Sequence, residues 1–269
     1  MKLKWYASPY IVWMALFTVA PLVLLLYFST RSADGFTLEH FRKFFDPLYI
    51  GILLRSLWMA VLCTAICLAL GYPTAYLLSK RREGSVLALL FILPMWMNFL
   101  LRTYAWMSIL ENTGVVNKAL QALGFAQMTL LYTPGAVLLG MVYNFLPFMI
   151  LPIMTVLRKM DRSLIEAAGD LGANPVAVFR RVILPLSLPG VISGITMVFM
   201  PAVTTFVISR LLGGSQFMLF GDLIEQQFLQ TADWSFGSAL SVIMMALMLL
   251  SMAVMNRLGG NEQQRGQLI

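Results

Sequence analysis

The stretch Arg158–Leu188, RKMDRSLIEAAGDLGANPVAVFRRVILPLSL, decides how the rest of the chain is read. It contains Glu166-Ala167-Ala168-x-x-x-Gly172 and, nine residues later, Val182-x-Leu184-Pro185. Ser163-x-x-Glu166 fits a capping box, in which the Ser163 hydroxyl accepts from the amide at 166 and Glu166 reaches back to the amide at 163. A short helix is expected through Leu171, with Gly172 at the left-handed position that ends it. Asn174 fits a second N-cap, followed by Pro175 at the first helical position, where its missing N–H costs nothing. This second helix is expected to reach about Ile183, because Pro185 and Pro189 block simple continuation. The expected product is two short helices at an angle, lying on a membrane face. Leu164, Ala167, Ala168 and Leu171 form one apolar surface, and Val176, Phe179 and Val182 another. Small residues at 167, 168, 169 and 172 admit another backbone closely. The pattern suits a helix laid into a partner's groove and also an amphipathic helix resting on lipid. The residues alone leave both open.

Outside this insert the chain suits lipid. Its 269 residues are 59% hydrophobic and only 12% charged, with a mean hydropathy of +0.81. A soluble domain carries about 25% charged residues, so the composition indicates a polytopic membrane protein. The net charge of +7 does not indicate nucleic acid, because the basic residues fall between apolar spans and form no patch. Cys63 and Cys67 lie inside an apolar run and read as packing residues. His40 stands alone in a polar loop, so no metal site is expected.

A crossing helix needs about 20 mainly apolar residues. Six segments qualify: 7–28, 54–78, 86–109, 134–157, 189–209 and 236–257. The first is too long for a signal-peptide core and reads as a retained span. Long continuous apolar runs exclude barrel strands, which alternate. The expected fold is therefore all-α, a single membrane domain over 1–269 with loop 158–188 as its structured insert. Lys2 and Lys4, Lys80–Arg82, the five basic residues of 158–188, and Arg257 and Arg265 fall on alternate connections. That asymmetry predicts both termini and the 158–188 loop to be cytoplasmic.

Polar groups within spans are candidates for a solute pathway, since burying them in hydrocarbon is costly. Asn98, Asn144, Thr204, Thr205 and Ser209 qualify; Asn98 and Asn144 stand out because a lone amide needs a partner helix, water or solute. Pro147 and Pro152 beside Asn144 suggest a flexible helix. Trp96, Tyr104, Trp106 and Tyr143 could offer aromatic faces to a cation. Asp222, Glu225 and Asp233 fall near the outer mouth, where they could attract one. Counting 1.5 Å per residue places Arg102 near the outer interface. No acid falls clearly in mid-membrane.

Glu166-Ala167-Ala168, Gly172 and Leu184-Pro185 closely resemble the EAA loop of ABC importer permeases; Val182 stands where isoleucine is usual. Further segments resemble the spermidine/putrescine permeases of that family. They are Pro94-x-Trp96-x-Asn98-x-x-x-Arg102-x-Tyr104-Ala105-Trp106, Leu146-Pro147-Phe148-Met149, Leu211-Leu212-Gly213-Gly214 and Ile224-x-Gln226-Gln227-Phe228 followed by Asp233-Trp234-x-Phe236-Gly237. The resemblance covers nearly the whole chain. It implies a six-span permease in a bacterial cell membrane, with coupling helices over 163–183 that dock on an ATPase. Ser163, Glu166, Ala167, Ala168, Leu171, Gly172, Pro175, Phe179, Leu184 and Pro185 would form that surface, with no catalytic residue among them. It also implies a second, homologous permease subunit and an extracellular or periplasmic solute-binding protein. The sequence holds no G-x-x-x-x-G-K-[ST] loop, so ATP and magnesium are expected on the partner ATPase. Three competing readings are a permease for another solute (iron(III), thiamine, a betaine or a phosphonate), a membrane enzyme acting on lipid, and a passive channel. The enzyme has only Asp161, Glu166 and Asp170 as an acid cluster, and the channel lacks a charged ring or filter motif.

Overall fold

The computed structural model describes residues 8–32, 35–81 and 84–265. Lys2, Lys4 and Arg82, which contribute to the orientation reading, lie outside the described residues, as does position 7 at the start of the first expected span.

Three long helices begin the same way. Asp46, Thr133 and Asn174 each accept a backbone N–H two or three residues on (Leu48 at 2.9 Å, Ala136 at 3.2 Å, Ala177 at 2.8 Å). Each is followed by a proline at the first helical position. The side chain satisfies an orphan donor and the proline presets φ. These starts open α3 (Pro47–Lys80), α7 (Pro134–Lys159) and α9 (Pro175–Thr204). The three pack on one another and make the centre of the bundle. Met141, Met149, Ile150 and Ile153 of α7 meet Cys63 and Cys67 of α3 there, all without solvent exposure. The two cysteines are buried packing residues, free of disulfide.

The α7–α9 contact depends on Gly190-x-x-x-Gly194. A Cβ at 190 would lie 3.0 Å from the Pro152 carbonyl oxygen, and one at 194 would lie 2.8 Å from Met149 Sδ. Small residues at this spacing let two membrane helices approach closely enough for dispersion contacts to hold them.

Around this centre, α1 runs through Ser8–Met14, a widened turn at Ala15–Val19 and Ala20–Ser29. Only 6% of its apolar window is buried, against 56% for α7, so α1 is the peripheral span. It packs on α12 (Trp234–Arg265). Between them, a two-residue hairpin, β1 (Arg31–Ser32) with β2 (Gly35–Phe36), and the short α2 (Glu39–Phe44) precede α3. The hairpin is the only departure from an all-α fold among the described residues.

The structure corrects the expected boundaries in two places. The third expected span, 86–109, is broken. Helix α4 (Gly84–Trp96) gives way to α5 (Phe99–Leu110), and the apolar segments Val86–Trp96 and Phe99–Ala122 meet at about 91°. Pro94 weakens the end of α4, and Asn98 caps α5 by accepting from the Leu100 amide at 2.8 Å. The rise-per-residue count that placed Arg102 at the outer interface therefore fails, because it assumes a straight helix. Helix α6 (Val115–Ala122) then leads to α7.

The second correction concerns Pro185 and Pro189, which do not stop the second helix of the 158–188 insert. It runs on as α9 through a π turn at Phe179–Ile183, closed by the Leu184 amide on the Phe179 carbonyl. A proline cannot donate to the carbonyl four residues back and crowds it. Widening the preceding turn relieves both problems, and the same device precedes Pro21 in α1. The fifth span thus begins at Pro175 and ends at Thr204, short of the expected 209. A break at Thr205 and Phe206 leads to α10 (Val207–Gly213) and α11 (Phe220–Leu229). Ser209 lies on α10. By length and apolarity, five described helices could cross a membrane, or six with the bent pair counted as one span.

Candidate functional site

The 158–188 segment lies at one end of the bundle, the insert end. Helix α8 (Arg162–Asp170) is capped by Asp161, whose Oδ1 accepts from the Ser163 amide at 2.9 Å. The expected Ser163–Glu166 capping box does not form. The cap lies two residues earlier, which the sequence allowed, since aspartate is an equally good cap. That hydrogen bond holds the Asp161 carboxyl below its ordinary range.

Gly172 closes α8 as expected, at φ +80°. Its amide bonds the Gly169 carbonyl at 2.8 Å, and Ala173 bonds Ala168 at 3.1 Å. This pair of bonds is the Schellman arrangement, and it turns the chain directly into the Asn174 cap of α9. The outward face carries Leu164, 43% exposed, and Leu171, 89% exposed. Ser163, Glu166, Ala167 and Pro175 are also exposed, as are Leu184 and Pro185 further on. Ala168, Leu171, Gly172, Ala177 and Val182 line a groove of about 480 Å³ between the two helices.

Phe179 departs from the expected docking surface. Its ring packs edge-to-face on Tyr72 (5.9 Å) and Tyr76 (5.6 Å) of α3. Just beyond it, the Tyr72 hydroxyl lies 2.9 Å from Ser187 Oγ. Val176 remains exposed. The predicted Val176–Phe179–Val182 stripe is thus divided, with Phe179 joining the insert to the bundle. A hydrophobic pattern cannot tell which of two partners, the protein's own core or another chain, receives a given ring.

The expected pathway residues do not form one site. Trp106 and Tyr143 meet edge-to-face at 5.2 Å. Trp96 and Tyr104 are exposed at 76% and 52%. Asn98 is spent on the cap of α5. Asn144 is buried in the bundle, its Nδ2 donating to the Gly140 carbonyl at 2.8 Å while Oδ1 has no partner. Thr204 back-bonds to Met200 and Pro201, and Thr205 is buried at the break. The hydroxyls follow the usual preference for their own helix.

At the far end, α10 and α11 bring two of the predicted acids together. Asp222 is 8% exposed, and its Oδ2 accepts from the Leu219 amide at 2.8 Å. Burial pushes its carboxyl up to about 6, against the opposing pull of Ser209, the Leu219 amide and Arg210. Glu225 is ion-paired with Arg210. With Phe217, Gln226 and Gln230 they line a crevice of about 360 Å³. Asp233 is committed elsewhere. It caps α12 by accepting from the Phe236 amide at 3.0 Å, and it pairs with Lys43 at 3.8 Å. The Arg210–Glu225 pair escaped the sequence reading, because the helix break that juxtaposes them leaves no local pattern.

A bundle of crossing helices with a broken third span and a helix pair projecting from one end is the architecture of an ABC-importer permease. The alginate importer of known crystal structure carries a chain of the same fold (TM-score 0.79, 17% identity, 96% of this chain and 95% of that one). The MetNI methionine transporter matches less closely (TM-score 0.55, 19% identity, 81% and 99%). In sequence, residues 67–260 match the binding-protein-dependent transport system inner membrane component family, and the chain belongs to that family. It is 40% identical to the spermidine/putrescine transport system permease protein PotB of Escherichia coli K12, over 88% of this chain and 92% of the relative. Against Haemophilus influenzae PotB the figures are 41%, 91% and 90%. YdcU, an inner membrane ABC transporter permease protein of Escherichia coli K12, is 31% identical over 93% of this chain and 87% of its own. The chain is a multi-pass, non-catalytic transport component.

Proposed function

We propose that this chain is the permease of an ATP-driven importer for spermidine- or putrescine-class polyamines. The observation that carries the reading is the near-full-length identity to two PotB permeases. Solute would cross by alternating access. A separate ATPase pair, holding ATP and magnesium, would dock on the exposed Leu164, Glu166 and Leu171 face and its groove. ATP-driven closure of that pair would move α8, and Phe179 would pass the movement to α3. A homologous second permease would complete the pathway, and a solute-binding protein would deliver polyamine to the far end. In this reading both termini would lie in the cytoplasm of a bacterial cell, as the basic-residue bias of the connections suggests. A polyamine needs carboxylates for its ammonium groups and aromatic faces for cation–π contact. Asp222 and Glu225 supply the first at the far end, although Glu225 is shared with Arg210. Trp106 and Tyr143 supply the second. The remaining counter-charge would come from the second permease.

Labelled spermidine uptake into cells carrying the chain with its partner subunits tests this reading. Uptake should require ATP and be competed by putrescine but not by thiamine, iron(III) or betaine. Glu166→Lys should insert normally and lose at least tenfold of that uptake. Wild-type uptake by the variant would remove the docking role, and uptake competed by another solute would remove the polyamine assignment.

A further inference from the structure

Beneath α8, on the side facing the bundle, lies a crevice of about 350 Å³ that shares only Glu166, at its rim, with the proposed docking face. Its wall carries three cations, Lys80, Arg158 and Arg162, and one carboxylate, Glu166. Its floor is apolar, made by Leu157, Ile165 and Ile183. Arg158 is engaged within the fold. Its Nη2 donates to the Arg81 carbonyl at 3.2 Å and the Leu78 carbonyl at 3.5 Å, fastening the end of α7 to the end of α3.

Lys80 and Arg162 differ from Arg158. Neither makes an ion pair among the described residues. Arg162 stands one helical turn before Glu166, the spacing at which such pairs form, yet the two do not pair. The Lys80 ammonium lies 4.2 Å from the centre of the Tyr76 ring. Both side chains are exposed. Lys80 is the last residue of α3, and α7 ends at Lys159. The crevice therefore sits where two spans leave the hydrocarbon, with its apolar floor toward the bundle and its cations at the mouth. Basic pockets between span ends, at headgroup depth, suit anionic lipid.

We propose that this crevice binds the phosphate of an anionic phospholipid headgroup. Lys80 and Arg162 hold the phosphate oxygens, and the glycerol end of the lipid lies on the apolar floor. The coupling helix then rests on a lipid on one face while its other face is free for a protein. A free phosphate ion shares the anionic chemistry but would leave the apolar floor bare.

The test uses the full chain, with whatever subunits co-purify, in nanodiscs of phosphatidylcholine with or without phosphatidylglycerol. Retained lipid is read by native mass spectrometry and stability by thermal unfolding. The wild type should retain phosphatidylglycerol preferentially and unfold at higher temperature with it. Lys80→Gln and Arg162→Gln should each lower that preference about fivefold, the scale of one cation at a charged leaflet, and the pair should nearly abolish it. Lys159→Gln with Arg181→Gln, cations at the same end but outside the crevice, should leave it intact. Three results would overturn the proposal: unchanged preference in the first pair, equal loss in the control pair, or the same thermal shift from inorganic phosphate in phosphatidylcholine discs.

Discussion

At Gly172 the backbone sits at φ +80°, and a Cβ there would meet nothing within 4 Å. The position is restricted by conformation alone, since a side chain in the left-handed region costs about 1–2 kcal/mol. Gly172→Ala should therefore loosen the turn between α8 and α9 without disturbing packing. Amide exchange at Ala173, which bonds the Ala168 carbonyl, should quicken by about fivefold or more. Asp222 is limited by electrostatics. Its folded carboxyl holds a proton up to about 6, whereas the ordinary value is 3.8. Between those values the folded state binds more protons than the unfolded chain, so stability falls as pH rises through that window and levels above it. Thermal unfolding across the window should show this slope in the wild type. Asp222→Asn should flatten it, because the amide does not titrate, while its oxygen can still accept from the Leu219 amide and keep the local structure.

Among elements, the decisive contact is α7 on α9. Gly190 and Gly194 face backbone atoms of Pro152, Ile153 and Met149 at 3.0–3.4 Å from a hypothetical Cβ. A main chain cannot step aside as a flexible side chain can. Gly190→Val should separate the helices at a cost of about 1–3 kcal/mol, measured as a lower unfolding temperature. Ser193→Val, whose side chain is exposed and bonds its own helix at Pro189, should cost much less. Equal losses would mean that the glycines are not the contact. The π turn before Pro185 works at the same scale. It keeps the 158–188 insert continuous with the fifth span, with no loop between them.

For the whole molecule, the membrane orientation is the proposition with the widest consequences. Cys63 and Cys67 have no exposure, so the native thiols should stay unreactive in folded protein. A cysteine placed at Leu171 should then react with a membrane-impermeant maleimide only in inside-out vesicles, and one at Leu229 only in right-side-out vesicles. Both positions are strongly exposed, at 89% and 75%. The opposite pattern would invert the topology and place the α8 face where no cytoplasmic ATPase could reach it.

Apolar run length and the 158–188 motif with its family resemblance were enough to indicate an all-α permease, its spans within a few residues in most cases, and the helix pair of the 158–188 loop. These properties are local. Twenty apolar residues must bury their backbone in a helix, Asn174-Pro175 starts one, and Gly172 ends one wherever they occur. Tertiary structure decided what depends on the partner across the bundle. It bent the third span at Asn98, carried α9 through Pro185, turned Phe179 toward Tyr72 and Tyr76, and set Arg210 against Glu225. A one-dimensional pattern states that a side chain is apolar or charged. Which neighbour satisfies it is set by packing between segments far apart in the chain.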